Sequence, residues 1–463
     1  MIRIRIEKDT LGEKEVPVEA YYGIHTLRST ENFDIAKRPI SRQMIKGLAV
    51  VKKAAARANY ECGYLTEEIY NAISLTCDEI FNGRLHGQFI TDLVQGGGGT
   101  SMNMNANEVI ANRANEMLGF QKGTYNPIHP IDQVNLCQST NDVVPTAGKF
   151  AAITLTKKLL VEMKKFANVY DDLATKYENV VTTAKTHLND SVPVTYGKLF
   201  SANKYSIEKD IKRINQAMEG MLEVNLGGTV IGTGYNADPK YVRRVVRYLS
   251  EFSGEDFVQS KNMIDCTRGL DSFVWLSTTL KTFALDLQKM ANDLRLNACA
   301  YKTCDIPQVQ DGSSFSPGKT SPAVLEMISQ VVYYIEGNDL TICRCAAAGE
   351  MEYNVNIPIV LACLFENLNF IRRAIRTFRE KCLEGLVVHG LEDHEIYENF
   401  IITSIQTRLG YDVTCSIIEE ARASNKKTTE ILLEKGLITK EEIAAFKENA
   451  DFAKPGFIKF EKK

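Results

Sequence analysis

The chain has 463 residues, with 55 lysines and arginines against 58 aspartates and glutamates and a formal net charge of −3 at pH 7. A chain of this length is too long to form one ordinary hydrophobic core, so we expect two or three domains. Because the charge is nearly balanced and no basic block interrupts the sequence, we expect neither a nucleic acid nor an anionic membrane as partner. A small molecule and further copies of the chain remain as partners.

The N-terminal stretch MIRIRIEKDTLGEKEVP alternates charged residues with isoleucines and lacks the apolar core of a secretion signal. The longest apolar run, IPIVLACLF at 357–365, is too short to span a bilayer. The eleven cysteines are an odd number without regular spacing, which is typical of mostly buried free thiols in a reducing compartment. We therefore expect a cytoplasmic protein.

Residues 1–140 mix short helical segments with glycine- and asparagine-rich turns, and we assign them to an N-terminal domain. Residues 141–392 carry long apolar stripes at helical spacing and predict a central helical bundle domain. The stripes form four seams: Leu155, Leu159, Met163, Phe166, Tyr170, Leu173 and Tyr177; Ile207, Ile211, Ile214, Met218 and Met221; Leu276, Leu280, Phe283, Leu287, Met290 and Leu294; Leu364, Leu368, Ile371, Ile375, Phe378 and Cys382.

Seams with a spacing near 3.5 residues favour long helices that pack at small crossing angles. The segment around Trp275 is apolar beyond its stripe, which predicts burial against other subunits as well. The alternative is that these faces serve only the core of one chain.

The chain from residue 393 to residue 463 predicts a small C-terminal helical domain. Thr439 and Glu442 in LITKEEIAAF fit a capping box, and Gly436 ends the preceding short helix. His389 and His394 lie near several acidic residues, but their spacing and the lack of a cysteine pair argue against a metal site. We therefore expect no bound metal.

Four polar stretches lie beside the helical stripes and offer hydroxyls, amides and backbone N–H groups with few fixed charges. They are GGGGTSMNMNANE at 96–108, QSTNDVVPTA at 138–147, KTHLNDSVP at 185–193 and DGSSFSPGKTSP at 311–322. Such a set suits a small anion held by many neutral donors. Each stretch alone could instead be a helix cap, with Ser139, Thr140, Asn141 or Thr186 as capping residue. The recurrence of one chemistry favours a composite site.

The stretch GGTVIGTG at 227–234 has neither the GxGxxG nor the GxxxxGK[ST] spacing of a nucleotide-binding loop. The segment before it predicts a helix and not a strand. We therefore interpret this stretch as a tight turn between bundle helices.

The chain resembles the aspartase/fumarase superfamily, and the aspartate ammonia-lyases in particular, along essentially its whole length. One motif such as STND is a weak signal, but the ordered set is specific. The matching stretches are EKDTLGEKEVPVEAYYGIHTLRSTENF, GGTSMNMNANEVIANRANE, QSTNDVVPTA, KTHLNDSVPVTYGKLFSA, GGTVIGTGYN and KMANDLRLNACA.

This resemblance implies an all-α subunit of three domains, whose central helices form a twenty-helix core in a homotetramer. It implies active sites that are each built by three chains, and no organic cofactor. The implied reaction is the reversible deamination of L-aspartate to fumarate and ammonia through an enediolate, whose double charge the enzyme must stabilise.

In the family the catalytic base is the first serine of a flexible loop with the pattern G-S-S-x-M-P-x-K-x-N-P, which corresponds to Ser313 here. A serine is an adequate base only if its oxyanion is stabilised in a site closed to water. The resemblance also implies substrate contacts: Thr100, Ser101, Ser139, Thr140 and Ser314 near the β-carboxylate; Asn141 and the catalytic His187 near the amino group; Thr186, Lys319 and Ser321 near the α-carboxylate.

The sequence departs from the family pattern on the α-carboxylate side. Ser321 replaces an asparagine, YKTCDIP at 301–307 replaces an Asn-Glu pair before Ile-Asn-Leu-Pro, and NVNIP at 354–358 replaces a Met-Glu-Pro ending. A hydrogen bond lost to a charged group is worth about 1.5–3 kcal/mol, enough to change the preferred substrate. Besides aspartate deamination, the same chemistry on an aspartate analogue or malate and a non-catalytic helical scaffold are alternatives.

Overall fold

The computed structural model describes residues 3–391 and 393–449, without the side chains of 393–399 and 447–449. Helices dominate this part of the chain, as the sequence predicts. The α-helices are α1 (Ile24–Asn32), α2 (Arg42–Glu61), α3 (Glu67–Phe81), α4 (Thr100–Met117), α5 (Thr140–Lys176), α6 (Tyr196–Glu219), α7 (Pro239–Ser253), α8 (Met263–Arg268), α9 (Asp271–Leu296), α10 (Ala323–Ala347), α11 (Ile357–Phe378), α12 (Asp393–Leu409), α13 (Tyr411–Ser424), α14 (Thr428–Glu434) and α15 (Lys440–Asn449).

Short strands pair two by two between the helices. They are β1 (Ile4–Asp9), β2 (Gly12–Pro17), β3 (Val181–Thr186), β4 (Asn189–Thr195), β5 (Glu223–Val224), β6 (Val258–Gln259), β7 (Cys304–Asp305) and β8 (Val387–Val388). The β1–β2, β3–β4 and β7–β8 pairs are antiparallel, whereas β5–β6 is parallel. Single turns of 3₁₀- or π-helix lie at His86–Gln88, Gly97–Gly99, Pro130–Val134, Asn297–Tyr301 and Arg379–Leu383.

The chain forms two compact units. The first unit comprises Met1–Met163, Asp210–Leu287 and Ser329–Ala374. The second unit comprises Lys164–Lys209, Gln288–Ile328 and Ile375–Lys463. The division into 1–140, 141–392 and 393–463 remains a prediction.

The seams predicted from the sequence lie in long helices. Helix α5 runs for 37 residues, and its seam residues Leu159, Met163 and Phe166 are fully buried. The seam residues of α9 and α11 are buried as well. In the second unit the ring of Phe166 lies 5.5 Å from that of Phe378, so the seams of α5 and α11 pack against each other.

Helices α9 and α10 also carry apolar side chains that the single chain leaves exposed. Trp275 is 50 % exposed, and Leu285, Tyr333 and Leu340 are exposed to a similar degree. The contact of Trp275 with other subunits stays a prediction, and the side chain has free surface on which such a contact could form.

Residues 400–446 have a hydrophobic core of their own. It contains Ile401, Ile402, Ile405, Ile417, Ala421, Ile431, Leu432, Ile438 and Phe446. The predicted capping box is confirmed: the backbone N–H of Glu442 donates to Thr439 Oγ1 (3.1 Å), and that of Thr439 donates to Glu442 Oε2 (3.0 Å). Gly436 follows α14 at a φ of 65°, as expected for a residue that ends a helix.

All eleven cysteines are free, as predicted, but most are not fully buried. Cys77, Cys304, Cys363 and Cys382 are buried, Cys299 is exposed, and the other six are partly exposed because they lie on the flanks of helices or in turns. No helix in the described ranges is long and apolar enough to cross a membrane.

Candidate active site

The glycine-rich stretch before α4 forms a tight turn in the first unit. The residues Gly97–Gly99 have φ values of 75°, 63° and 95°, a backbone conformation that glycine adopts without strain. The turn ends where the hydroxyl of Thr100 donates to the carbonyl of Gly97 (2.9 Å). Thr100 and Ser101 then start an 18-residue helix, whose positive end favours a bound anion.

The STND stretch forms the start of α5 in the same unit. The hydroxyl oxygen of Ser139 accepts a hydrogen bond from the backbone N–H of Asn141 (3.2 Å), and Thr140 Oγ1 accepts one from Asn103 Nδ2 (3.3 Å). Ser139 is therefore a helix cap, as the alternative interpretation has it. Each of these two hydroxyls accepts a hydrogen bond and also has a proton that it can donate.

Asp142 holds this helix start against the GGTVIGTG turn. Its carboxylate is fully buried and accepts hydrogen bonds from the backbone N–H groups of Ser139 (2.9 Å), Gly227 and Thr229 (3.1 Å each). Burial raises the pKa of Asp142 to about 6, against the effect of these donors. The amide of Asn141 also donates to the carbonyl of Val230 (2.7 Å).

The turn at 227–234 thus holds the STND residues in place through these hydrogen bonds. The strand β5 precedes it and α6 already ends at Glu219, so the prediction of a helix directly before this turn is wrong. The reason is the parallel pairing of Glu223 and Val224 with Val258 and Gln259, which extends the backbone there.

The starts of α4 and α5 lie side by side. A Cβ atom on Gly99 would come within 3.0 Å of Val144 Cγ1, and Asn103 of α4 donates to Thr140. The first unit therefore brings one group of predicted site residues together: Thr100, Ser101, Ser139, Thr140 and Asn141.

Lys52 lies behind this group and was not identified from the sequence. It is fully buried, and its ammonium donates to Asn135 Oδ1 (2.8 Å) and Gln138 Oε1 (3.0 Å). Asn135 Oδ1 also accepts from Asn103, the residue that donates to Thr140. Burial lowers the pKa of Lys52 to about 7. The sequence does indicate that Lys52 is buried, because helical spacing places it on the apolar stripe of α2.

The KTHLNDSVP stretch lies in the second unit and forms a β-hairpin. Thr186 is the last residue of β3 and pairs with Asn189 of β4, while His187 and Leu188 form the turn with φ values of 52° and 62°. The interpretation of Thr186 as a helix cap is therefore wrong, because the two turn residues adopt the left-handed conformation that a tight hairpin requires. Thr186 and His187 are both exposed.

The loop at 311–322 also belongs to the second unit. Ser313 Oγ accepts hydrogen bonds from the backbone N–H groups of Phe315 (3.1 Å) and Ser316 (2.8 Å). The hydroxyl of Ser321 donates to the carbonyl of Gly312 (2.8 Å), which closes the neck of the loop. A Cβ atom on Gly312 would lie 2.0 Å from the carbonyl oxygen of Lys319, so only glycine fits there. Ser314 and Lys319 are exposed.

In the described part of the chain, no group of three or more histidine, cysteine, aspartate and glutamate side chains could hold a metal ion. His389 Nε2 lies 2.8 Å from Asp305 Oδ2. The acidic neighbours considered with it, Glu392, Asp393 and Glu395, and also His394, lie outside the residues whose side chains the structure describes.

The helical fold, the first-unit group of hydroxyls and amides, and the polar hairpin and loop of the second unit define a class of protein. A family model described as lyase matches residues 12–337. These residues make up more than half of the chain, which therefore belongs to the lyase family, within the aspartase/fumarase superfamily.

Two relatives named aspartate ammonia-lyase are similar over nearly the whole chain. The protein of Bacillus subtilis (strain 168) is 40 % identical over 98 % of this chain and 96 % of its own length. That of Escherichia coli (strain K12) is 37 % identical over 95 % of this chain and 94 % of its own.

Solved structures agree with this assignment. A fumarate lyase:delta crystallin from Brucella melitensis bound to cobalt has a TM-score of 0.92 and 36 % identity, and the match covers 96 % of this chain and 98 % of that one. A class II fumarase from Schistosoma mansoni has a TM-score of 0.92 and 28 % identity, with 97 % and 98 % covered.

Proposed function

We propose that this protein is an ammonia-lyase that reversibly converts L-aspartate to fumarate and ammonia. The observation that carries the proposal is the pair of backbone N–H groups that donate to Ser313 Oγ. These donors favour the alkoxide of Ser313, the form in which a serine can act as a base. The relatives named aspartate ammonia-lyase support the choice of substrate.

In the proposed reaction the Ser313 alkoxide takes a proton from Cβ of aspartate. The electron pair of the C–H bond moves into the β-carboxylate, which becomes an enediolate with two negative charges. The enediolate then collapses, a C=C bond forms, the C–N bond breaks, and the amine leaves as ammonia. No oxidant or reductant is needed, and Ser313 returns its proton to solvent.

The first-unit group is proposed to bind the β-carboxylate, on which the negative charge develops. The available hydroxyl protons of Ser139 and Thr140 support this assignment, as does the position of Thr100 and Ser101 at the positive end of α4. Ser314 is proposed to add a further hydroxyl. Such donors accelerate the reaction because they bind the enediolate more strongly than the substrate.

Three exposed residues of the second unit, Thr186, His187 and Lys319, are proposed to bind the other end of the substrate. His187, together with Asn141 of the first-unit group, would contact the amino group, and Thr186 and Lys319 would contact the α-carboxylate. The position of His187 in a two-residue turn, with its side chain exposed, supports a role in contact with a ligand.

A second candidate is the same elimination from an aspartate analogue or from malate. It is favoured by the hydrogen bond from the Ser321 hydroxyl to Gly312, since this bond occupies the proton that an α-carboxylate would otherwise receive. The family asparagine at this position would supply an amide donor, which Ser321 lacks.

We further propose that the protein is a homotetramer in which three chains build each active site and in which the divisions 1–140, 141–392 and 393–463 are domains. The exposed apolar side chains of α9 and α10, among them Trp275 and Leu340, support a large subunit interface. By the same proposal the enzyme acts in the cytoplasm on a small amino or dicarboxylic acid.

A panel of substrates tests the proposal. Purified protein is mixed with L-aspartate, with substituted aspartates or with malate, and the ultraviolet absorbance of the unsaturated product is followed. We expect fumarate from L-aspartate. Turnover of malate or a substituted aspartate alone would favour the second candidate, whereas no turnover of any substrate by an assembled tetramer would favour a non-catalytic scaffold.

A further inference from the structure

The connector between α10 and α11 is anchored at its α10 end. Asn354 Nδ2 donates to the carbonyls of Cys345 (2.9 Å) and Ala346 (3.3 Å) in the last turn of α10. Its Oδ1 accepts from the backbone N–H of Asn356 (3.0 Å). Because these carbonyls have no partner within their helix, Asn354 both caps α10 and fixes the start of the connector.

The middle of the connector is a two-residue turn. The backbone groups of Glu350 and Tyr353 form two hydrogen bonds with each other, of 3.0 and 3.2 Å. Met351 between them has a φ of 55°, which a methionine adopts only when the surrounding structure enforces it. The connector therefore presents Tyr353 from a well-defined backbone.

Tyr353 reaches the glycine turn that precedes α4. Its hydroxyl donates to the carbonyl of Gly98 (2.9 Å), although the two residues are 255 positions apart in the sequence. A Cβ atom on Gly98 would lie 2.1 Å from this hydroxyl and 2.6 Å from the ring, so the ring lies directly on the glycine. Burial raises the pKa of Tyr353 to about 12, so the hydroxyl keeps its proton at neutral pH.

The contact fixes the orientation of one peptide plane. The carbonyl of Gly98 and the N–H of Gly99 belong to the same planar unit and point in opposite directions. Gly99 is the residue before Thr100, and it has no side chain with which to cap α4. Since glycines have wide backbone freedom, an external contact is needed to hold this plane in one orientation.

We propose that Tyr353 is a positioning residue, which holds the Gly97–Gly99 turn so that Thr100 and Ser101 face the substrate carboxylate. This inference rests on the proposed function, because it assigns those two residues to the developing enediolate. It concerns a residue outside the four polar stretches, and the sequence gives no signal for the contact.

The test compares Tyr353→Phe with Tyr334→Phe. The first variant removes only the hydroxyl that bonds Gly98 and keeps the ring. The control removes the hydroxyl of Tyr334 on α10, which donates to Glu366 Oε2 (2.7 Å) and not to the glycine turn. Size measurements on both variants verify that assembly equals that of the unchanged protein.

The first readout is amide hydrogen exchange over residues 97–102, which does not depend on activity. We expect faster exchange there in Tyr353→Phe and no change in Tyr334→Phe. Equal exchange in Tyr353→Phe and the unchanged protein would overturn the proposal.

The second readout is turnover of aspartate. We expect kcat to fall between about twofold and tenfold in Tyr353→Phe, as for the loss of one hydrogen bond, with little change in KM. An unchanged kcat together with a lower melting temperature would reduce Tyr353 to a structural residue and overturn the proposal. If the unchanged protein does not turn over aspartate, the proposed function fails. The exchange measurement alone then shows whether Tyr353 holds the glycine turn.

Discussion

At the scale of single residues, backbone geometry determines what Ser313 can do. A hydrogen bond to a charged group is worth about 1.5–3 kcal/mol, against about 0.5–1.5 kcal/mol for a neutral one. The two N–H donors from Phe315 and Ser316 therefore stabilise the alkoxide more than the neutral hydroxyl. The rest of the loop shapes this arrangement, since Gly312 allows its two ends to approach closely.

The substitution Ser313→Ala is expected to lower kcat by at least about 10²-fold, the smaller end of what a positioned general base contributes. The fold and the assembly should remain, because the loop around Ser313 contributes little to the core. Steady-state kinetics with L-aspartate measures the loss. Thr320→Ala is the control in the same loop, and turnover by Ser313→Ala at the control's rate would remove Ser313 as the base.

Lys52 provides a prediction about stability. Burial lowers its pKa from an ordinary value of 10.5 to about 7. Between these two pH values the unfolded chain holds a proton that the folded chain has released, so this group makes stability rise with pH by up to about 1.4 kcal/mol per pH unit. Below pH 7 the lysine is charged in both states, and its burial destabilises the fold.

The substitution Lys52→Met should therefore flatten the rise in stability between pH 7 and 10. The urea concentration at half-unfolding, measured at several pH values, gives both curves. Lys53→Met is the control, because Lys53 lies next to Lys52 on α2, is partly exposed and forms an ion pair with Asp78 of α3. If the stability of Lys52→Met and that of the unchanged protein rise equally with pH, the titration of Lys52 is not the cause of the rise.

At the scale of secondary structure elements, Asp142 connects the start of α5 to the turn at 227–229. We expect Asp142→Asn to destabilise the protein by about 1–3 kcal/mol, because the new amide cannot accept all three backbone N–H groups. It should also lower kcat, since Ser139 and Thr140 lose their support. Melting temperature and kinetics measure the two effects.

Asp265→Asn is the matched control for this change, because Asp265 lies in the first turn of α8 with an exposed carboxylate. A melting temperature of Asp142→Asn equal to that of Asp265→Asn would show that the buried carboxylate does not hold the two elements together.

The sequence predicts some of these elements better than others. The seams of α5, α9 and α11 are predictable because helical spacing is a local property of the chain. The hairpin of β3 and β4 is not, since its turn residues His187 and Leu188 carry none of the glycine or asparagine–glycine signals of a tight hairpin.

Contacts between distant parts of the chain are the least predictable. Lys52 meets Asn135 across 83 positions, and Tyr353 meets Gly98 across 255. The residue types and their spacing in the sequence do not indicate which residues form these pairs. The pairs are seen only in the folded chain. The predicted site residues, by contrast, came from short ordered motifs, and their roles remain proposals.

At the scale of the whole molecule, the proposed assembly predicts complementation between two inactive variants. If Ser313 and Thr140 of one active site come from different copies, hybrids of Ser313→Ala and Thr140→Ala contain some sites with both residues intact. After an equal mixture is unfolded and reassembled, about a quarter of the sites should be complete, because each of two independent positions is intact in half of them.

The measurement is aspartate turnover of the reassembled mixture, compared with each variant treated alone. Recovery of about a quarter of the activity agrees with sites shared between chains. Activity that stays at the level of the separate variants would mean that one chain supplies both residues.

The distribution of the thiols has a practical consequence for spectroscopy. Burial raises the pKa of Cys77, Cys304 and Cys382 to about 12 and that of Cys363 to about 11, so these thiols stay protonated and react slowly with maleimides. Cys299 is the exposed one among the eleven. A fluorophore added at a low ratio of dye to protein should therefore attach first at Cys299, ahead of the six partly exposed thiols and the four buried ones.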